Sequence, residues 1–499
     1  MRFVLKTLFF ALIVGSFAQA AVWSPTETWS DAKELQYQTW LQTFMQVDTF
    51  SRQRLADGTP NPYYGLTTDC ADTVYAMRII FAYENSLPWA IRDPRDRSQL
   101  ITQDISRFDH LTANGGRRIR AFINYINGIV STKSIANDTY PISINKIVPG
   151  TIILTSHKNH HSWTIAEIMS NGNPRLVFNS VVGKESGPRL QQRISWPNPY
   201  WIFEPEERPV DRRNPDLGVT RVPVYVPGSY AGLRYWIPVD QLLNDPKLLP
   251  GYSEDQYALD LSRWKQELTR RLARVTETVQ DIVHRLLLDA CEDVRQRIDS
   301  VKDAENYKAQ LQLALTDANT NDLRQLLAEY NSAVNKPADN RCLIYARYDQ
   351  FSTPSRDRRL FDAIMLARTY FKFGLRTQSE SSFSAQRLAQ FKKIFSDPLN
   401  TAKAESAAET EPIAIDQNSI CINRMGAEQL DLAEVKRRLF KSHLSPNPNE
   451  DILGRWGGRG AEPSEIARTC TTYGDSYPAY DIDRSEKEAQ DEVDVYSQR

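Results

Sequence analysis

Cysteine and histidine are scarce in this chain. Five cysteines and six histidines are spread over 499 residues, which leaves few side chains for a metal site. Three of the histidines cluster at 157–161, but neither an acidic residue nor a cysteine stands beside them at metal-ligand spacing. We therefore expect no metal, and the chemistry considered below needs no other cofactor.

An excess of charge of either sign is also missing. Lys and Arg total 61 against 62 for Asp and Glu, which gives a net charge of −1. The chain thus lacks the basic field that nucleic-acid-binding proteins use. Beyond the N-terminus no stretch is apolar enough to span a bilayer, and no internal repeat is found. We expect no nucleic-acid partner and no stable membrane span in the mature protein.

Residues 1–20 have the pattern of a secretory signal peptide. Arg2 and Lys6 precede an apolar run at 7–17, and the segment ends in an A-x-A site at Ala18 and Ala20. Cleavage after Ala20 predicts an exported protein, periplasmic or secreted. An uncleaved membrane anchor is the alternative.

Export changes the interpretation of the cysteines, because thiols pair in an oxidising compartment. Cys291, Cys342, Cys421 and Cys470 lie in the C-terminal half and form an even set with three possible connectivities. Cys70 is distant from them and makes the count odd. This leaves Cys70 as a nucleophile or as a buried thiol.

The hydrophobic pattern predicts a multidomain α+β protein. Helical periodicity marks 24–55, 68–87 and a segment around 117–129, whereas strand-like runs and a hairpin turn at "SNGNP" follow residue 147. A long amphipathic stripe from Tyr257 to Leu286 then predicts one long helix. The expected organisation is a signal peptide (1–20), a cysteine domain with a helical lead-in (21–250), a helical domain (251–375), a linker (376–419), a small cysteine-containing segment (420–474) and a disordered tail (475–499).

Cys70 and a later histidine are arranged as in thiol nucleophiles. Cys70 follows the capping residue Asp69 at a helix start, where the helix N-terminus and a nearby imidazolium lower a thiol pKa. In "HHSWTI", His161 shares the apolar face with Trp163, and we expect that face to lie against the helix of Cys70. His161 is therefore the expected base, followed by His160 and then His157.

A third group should orient the imidazole of the base. Asn179 lies in "RLVFNS", the strand expected beside the histidine strand, and its amide oxygen can accept the imidazole N–H. The pairing register is not fixed by the sequence, so Ser180 and Glu167 remain alternatives.

These motifs resemble the papain-like cysteine superfamily over roughly residues 55–185. NlpC-type cell-wall peptidases have an aromatic "PY..G" loop, a "DCS"-type cysteine helix, a "PGD" turn and a histidine that opens the next strand. The matching positions here are Pro62-Tyr63-Tyr64-Gly65, Asp69-Cys70, Pro149-Gly150-Thr151 and His161.

Transglutaminase-like proteins are similar in a different way. Their cysteine helix ends in a "GIP"-type turn, matched by Leu87-Pro88, and their "HAW.E" motif is matched by His161-Ser162-Trp163 with Glu167 offset. The chain departs from both families. Thr151 replaces the acid of "PGD", Ala71 replaces a small hydroxyl residue, and the transglutaminase aspartate falls near Asn179.

The resemblance implies a papain-like domain, with its cysteine helix packed on an antiparallel sheet. It implies an exported thiol hydrolase that cleaves amide bonds, with cell-wall peptides as the expected substrate. Cys70 would attack the carbonyl, His161 would move the proton and Asn179 would orient His161. The expected substrate contacts are Tyr63, Tyr64, Asp69 and Trp163.

Two other functions remain open. A transglutaminase-like enzyme would form the same thioester and pass the acyl group to an amine. A non-catalytic envelope scaffold would keep the papain-like fold and bind a protein partner through its long helices.

Overall fold

The structure is a computed structural model. The signal peptide predicted for 1–20 lies outside the described residues, as do His157 and Ser180. Within the described part of the chain, no helix is both long and apolar enough to cross a membrane. The described residues are 21–111, 116–156, 159–179, 188–209, 211, 213–214, 219–222, 231–319, 321–334, 342–470 and 480–498.

The described residues form a mixed α+β structure with antiparallel sheets and a helical region, as the sequence predicts. The α-helices are α1 (Asp31–Phe44), α2 (Cys70–Glu84), α3 (Arg117–Asn127), α4 (Thr132–Asp138), α5 (Pro199–Phe203), α6 (Trp264–Leu272), α7 (Val279–Thr316), α8 (Asn321–Val334), α9 (Tyr348–Phe351), α10 (Pro354–Thr377), α11 (Ala385–Ile394), α12 (Ala402–Ala408), α13 (Leu432–Phe440), α14 (Ile452–Arg455), α15 (Glu465–Thr469) and α16 (Ile482–Ser497). The strands are β1 (Ala90–Arg92), β2 (Leu100–Thr102), β3 (Thr139–Pro141), β4 (Ile152–Leu154), β5 (Ser162–Ile168), β6 (Pro174–Phe178), β7 (Gln191–Arg193), β8 (Glu206–Pro209), β9 (Val219–Val222), β10 (Gly232–Trp236), β11 (Asn423–Met425) and β12 (Glu428–Leu430).

The main sheet has the strand order β3-β10-β4-β5-β6-β7, and the pairs are antiparallel. The hairpin predicted at "SNGNP" is confirmed, since β5 and β6 pair with Thr164 opposite Val177. Gly172, in this turn, has a φ of +81°, and a Cβ there would come within 2.2 Å of the Thr269 carbonyl oxygen. The hairpin therefore packs tightly against α6.

Both faces of this sheet are buried, because each covers a different core. Successive strand residues point to opposite faces. On β4 and β5, Ile152 and Ala166 pack with α2 in one hydrophobic cluster. Ile153 and Trp163 pack in a second cluster, together with Trp264 of α6. The sheet is thus the middle layer between α2 and α6.

Helix α2 confirms the helix predicted for 68–87. Asp69 is its N-cap, and a capping box joins Asp69 to Asp72 through reciprocal side-chain and main-chain hydrogen bonds. These bonds satisfy two of the N–H groups that a helix start leaves free. Cys70 is the first residue of the helix, so the cap at Asp69 holds the main chain of Cys70 in place.

The single long helix predicted from Tyr257 to Leu286 is wrong. Short 3-10 turns occupy 255–258 and 261–263, α6 ends at Leu272, and α7 begins after Thr278, which caps it. Most apolar residues of the stripe are buried, but they belong to two different hydrophobic cores. Trp264 packs against the sheet, whereas Ile282 packs in the helical region. Amphipathic spacing alone does not report such a break.

The predicted linker and disordered tail are also wrong. Helix α11 buries Phe391 and Ile394 within 376–419, and α16 buries Val493 within the predicted tail. Both helices share one core with α7, α10 and α13, so the segment 420–474 is no separate unit. Each of these short helices buries only one narrow face, and the rest of its surface is polar, which makes the local composition look disordered.

The four C-terminal cysteines pair as two disulfides, as the even count predicts. Cys291 bonds to Cys421 and Cys342 to Cys470, and Cys70 is the free cysteine. Each bridge closes a long loop, with sequence separations of 130 and 128 residues. Cross-links of this length remove much conformational freedom from the unfolded chain.

Replacing Cys291 and Cys421 together by Ala should lower the free energy of unfolding of the helical region by about 2–5 kcal/mol, because the closed loop is long. Urea unfolding followed by circular dichroism measures this loss. The matched control is Cys70→Ala, which breaks no cross-link. Equal urea midpoints for the double variant and this control would contradict the prediction.

Candidate active site

Cys70 lies where the start of α2 meets the start of β5. Its Sγ is 3.7 Å from the carbonyl oxygen of His160. The Ser162 hydroxyl donates a 3.0 Å hydrogen bond to the carbonyl oxygen of Cys70. Two residues of the "HHS" segment therefore touch the cysteine, through one main-chain atom and one side chain.

Two effects raise the pKa of the Cys70 thiol to about 12. Burial is the larger, and the charge of the neighbouring Asp69 carboxylate adds to it. Hydrogen bonds from Ser162 and Ala71 act in the opposite direction but are outweighed. The helix start was expected to lower this pKa. Desolvation of the half-buried thiol exceeds that effect, so Cys70 is protonated at neutral pH and needs a base before it can attack.

Asp69 and Asp72 form an acidic pair next to the thiol. The Asp69 Oδ1 accepts the Asp72 N–H at 2.8 Å, and the Asp72 Oδ2 accepts the Asp69 N–H at 3.1 Å. Burial raises the pKa of both carboxyl groups, that of Asp72 to about 8. The structure thus gives Asp69, expected as a substrate contact, a capping role at the edge of the cavity.

His161 points away from Cys70, which corrects the expected orientation. Its ring packs against Trp163, Phe178 and Trp201, with ring centroids 4.6, 5.4 and 5.6 Å away. Ser162, the next residue, is the one that faces α2. Since both faces of the sheet are apolar, the alternating pattern of β5 did not identify the face that carries the cysteine helix.

His160, the second choice from the sequence, is the histidine whose main chain touches Cys70. It has a φ of +43°, in the left-handed region, and its side chain is exposed. Of the two histidines, His160 is next to the thiol and His161 is on the opposite face.

Asn179 does not hold the imidazole of His161. It follows the last residue of β6, is buried, and donates from Nδ2 to the carbonyl oxygen of Thr68 at 2.7 Å. Two residues beyond the Thr164–Val177 pair, the same register places Asn179 opposite Ser162. Asn179 therefore fixes the segment that leads into Cys70. The alternative Glu167 pairs instead with Arg175 at 3.2 Å.

Of the three aromatic residues expected to contact the substrate, one lies at the cavity and two do not. Tyr63 is fully buried and its hydroxyl donates to Glu84 at 3.1 Å, at the other end of α2 from Cys70, so the expected substrate contact is wrong. Tyr64 is exposed, and its carbonyl accepts from Arg120, away from the cavity. Trp163 does line the cavity.

One large cavity of about 2430 Å³ joins these groups to the helical region. Its lining residues include Cys70, His160 and His161, together with Arg193 of β7 and Arg359 of α10. The arginines were not predictable from sequence patterns, because only the packing of α7 against β7 and of α10 against α7 brings them to the histidines.

The sheet and the helical region are joined beside this cavity by direct polar contacts. Arg193 pairs with Asp293 of α7 at 2.8 Å, and the Ile194 N–H donates to Asp289 at 2.8 Å. The hairpin is held as well, since the Arg274 N–H donates to the Ser170 carbonyl at 2.7 Å. The cavity walls are therefore tied to each other at several points.

In the described part of the chain, no group of three or more His, Cys, Asp or Glu side chains is placed to hold a metal ion. No family model, curated protein or solved structure matches this chain. Function is therefore argued from the geometry around Cys70.

The buried His161 predicts a loss of stability in acid. Burial, then repulsion by Arg359 and Arg193, lowers the pKa of His161 to about 3, whereas the unfolded chain titrates near its ordinary value of 6.5. The unfolded state therefore binds more protons as the pH falls from 6.5 towards 3. His161→Gln removes this linkage, so from pH 7 to pH 4 the variant should gain about 3 kcal/mol relative to the wild type.

Urea unfolding of both proteins at the two pH values measures this difference. Other titrating groups are common to both proteins and cancel. Parallel pH profiles for wild type and His161→Gln would show that His161 is not held neutral.

Proposed function

We propose that the protein is a thiol hydrolase of amide bonds, with Cys70 as the nucleophile and His160, rather than His161, as the base. The observation that carries the proposal is the 3.7 Å contact between the Cys70 Sγ and the main-chain carbonyl oxygen of His160, which places residue 160 beside the thiol at the edge of a large cavity. Cys70 is also the cysteine left out of the disulfides. A papain-like arrangement is part of the proposal, and it is supported by α2 packing on β5 with Cys70 at the strand's start.

The mechanism follows from the protonated thiol. His160 takes the proton from Cys70, and the thiolate attacks the carbonyl carbon of the amide. The main-chain N–H of Cys70, at the first position of α2, is of the kind that lacks an intrahelical acceptor and can bind the oxyanion. The imidazolium gives its proton to the leaving amine. Water, activated by the same imidazole, then cleaves the thioester and restores the thiol.

Ser162 and Asn179 act as positioning residues in this scheme. Ser162 bonds the Cys70 carbonyl, and Asn179 bonds the Thr68 carbonyl two residues before the cysteine. Together they fix the main chain on both sides of Asp69. A fixed nucleophile is needed because small displacements from the attack geometry are costly in rate.

Export and a cell-wall peptide substrate belong to the proposal as well. Two disulfides in the helical region favour an oxidising compartment. An exported amide hydrolase can meet amide bonds in wall peptides, and the cavity has room for an extended chain.

A non-catalytic scaffold is the second candidate. It is favoured by the raised pKa of the Cys70 thiol and by the orientation of His161 towards the other face of the sheet. In that case, Cys70 is a small buried side chain at a helix start, and the helical region is the part that binds a partner.

A thiol-reactive electrophile separates the two candidates. At neutral pH the folded wild type should be alkylated at Cys70, and His160→Ala should slow alkylation by about tenfold or more, because the base is lost. The matched control is His161→Ala, which should leave the rate within about twofold of the wild type.

The alkylated residue is identified by mass spectrometry, and circular dichroism checks the fold of each variant. Equal alkylation rates in wild type and His160→Ala would favour the scaffold. Slower alkylation in His161→Ala alone would indicate that His161 is the base, as the sequence pattern predicts.

Hydrolysis and acyl transfer share the thioester and differ only in the acceptor. Isolated peptidoglycan should release new amino and carboxyl ends when incubated with the wild type but not with Cys70→Ala. Incorporation of an added primary amine into the product, in place of hydrolysis, would instead indicate the transglutaminase-like reaction.

A further inference from the structure

The face of the sheet opposite to Cys70 presents an aromatic wall to the cavity, formed by His161, Trp163, Phe178 and Trp201. Neighbouring rings meet at steep angles, 86° for His161 with Trp163 and 62° for Trp163 with Trp201. Such a wall offers ring edges and a corner, not one flat platform. An apolar side chain, including an aromatic one, can pack into this corner through edge-to-face contacts.

The imidazole in this wall lacks a hydrogen-bond partner. His161 is only 8% exposed, and its main chain is bonded to Thr155, but no side-chain or main-chain group of the described residues bonds its ring. Buried polar groups are normally paired. An unpaired ring at the wall of a cavity is a position where a ligand atom can complete the hydrogen bond.

Guanidinium groups of β7 and α10 line the same cavity as this wall, and the carboxylates of Asp293 and Asp289 lie near one of them, Arg193. Arg193 and Arg359 share one carboxylate, that of Asp293, at 2.8 and 3.7 Å. Arg356, one helical turn from Arg359, also lines the cavity and pairs with no carboxylate of the described residues. Its hydrogen bond goes to the Ser352 carbonyl at 3.4 Å.

The charges that act on the His161 ring have one sign. After burial, repulsion by Arg359 and Arg193 lowers its pKa, so both guanidinium groups are close enough to act on the ring. Repulsion by Arg359 likewise contributes to lowering the pKa of Arg356. An anion placed between the ring and these arginines relieves both repulsions.

We propose that this part of the cavity binds the free carboxylate of a peptide that carries an apolar side chain next to it. The carboxylate lies between His161 and the guanidinium groups of Arg359 and Arg356, which bind carboxylates through paired N–H donors. The apolar side chain packs into the corner between Trp163 and Trp201. This site lies on the other face of β5 from Cys70 and stands whether or not Cys70 is a nucleophile.

A peptide is the favoured ligand class for two reasons. The cavity volume of about 2430 Å³ exceeds that of an ordinary small-molecule pocket, so the ligand is extended. The steep angles between neighbouring rings also leave a corner in the wall that can take the side chain of a peptide.

The test uses N-acetylphenylalanine and its amide, which share the ring and differ in the carboxylate. Ligand-observed NMR with the full-length Cys70→Ala protein, which cannot turn over substrate, should show that the acid binds about tenfold or more tightly than the amide. Equal binding of the two, or no binding of either, would overturn the proposal. Competition by glucuronic acid as strong as that by N-acetylphenylalanine would overturn the peptide class.

Two arginine variants locate the site. Arg359→Gln should weaken binding of the acid by about tenfold and leave binding of the amide unchanged. Arg356→Gln breaks no ion pair of the described residues and provides the same test if Arg359→Gln fails to fold. The matched control is Arg95→Gln, an exposed arginine outside the cavity. Unchanged affinity for the acid in both cavity variants would overturn the site.

A separate readout comes from the ring itself. Bound carboxylate favours the protonated imidazole, so N-acetylphenylalanine should raise the NMR-measured pKa of His161, and the amide should not. The His161 resonance is assigned from its loss in His161→Gln. A pKa of His161 that does not move when the acid binds would place the carboxylate elsewhere.

Discussion

The pleat of β5 is the constraint on which the site depends. Because both faces of the sheet are buried, each residue of the "HSW" segment is committed to one of two environments, whereas His160 precedes it and is exposed. Ser162 bonds the cysteine helix, and His161 and Trp163 line the cavity on the other face. A shift of one residue would exchange these roles, so the strand register determines which imidazole can reach the thiol.

The chemistry of Cys70 is set by a competition between burial and helix geometry. A helix start favours the thiolate, but the enclosed thiol is desolvated and lies beside a carboxylate. The net effect keeps the thiol protonated. A reactive site with this composition depends on a base that accepts the proton during attack, rather than on a preformed thiolate.

Local features of the fold follow well from the sequence. Neighbouring residues encode the cap at Asp69, the helix after it and the β5–β6 hairpin. The even number of C-terminal cysteines indicates that they form disulfides, although it does not give their connectivity. The face of β5 that carries α2 was not predictable, because apolar alternation marks burial but not the identity of the neighbour.

Features that depend on packing between distant segments could not be predicted either, because local sequence patterns do not identify the packing partner. Phe391 and Val493 are single apolar residues in polar surroundings, and only the shared core explains their burial. Arg193 and Arg359 meet His161 across long stretches of chain. Sequence patterns therefore brought Cys70 and the two adjacent histidines into one region, but they predicted neither which histidine lies next to the thiol nor the arginines of the cavity.

The polar ties between the sheet and α7 have a consequence for how ligands enter. Arg193 and Asp293, with the Ile194–Asp289 hydrogen bond, hold the walls of the cavity at a set separation. Opening the cavity by rotating one region against the other would break these bonds together and expose buried charges. Ligands therefore have to fit the separation that these bonds already set, because the walls do not move apart to admit them.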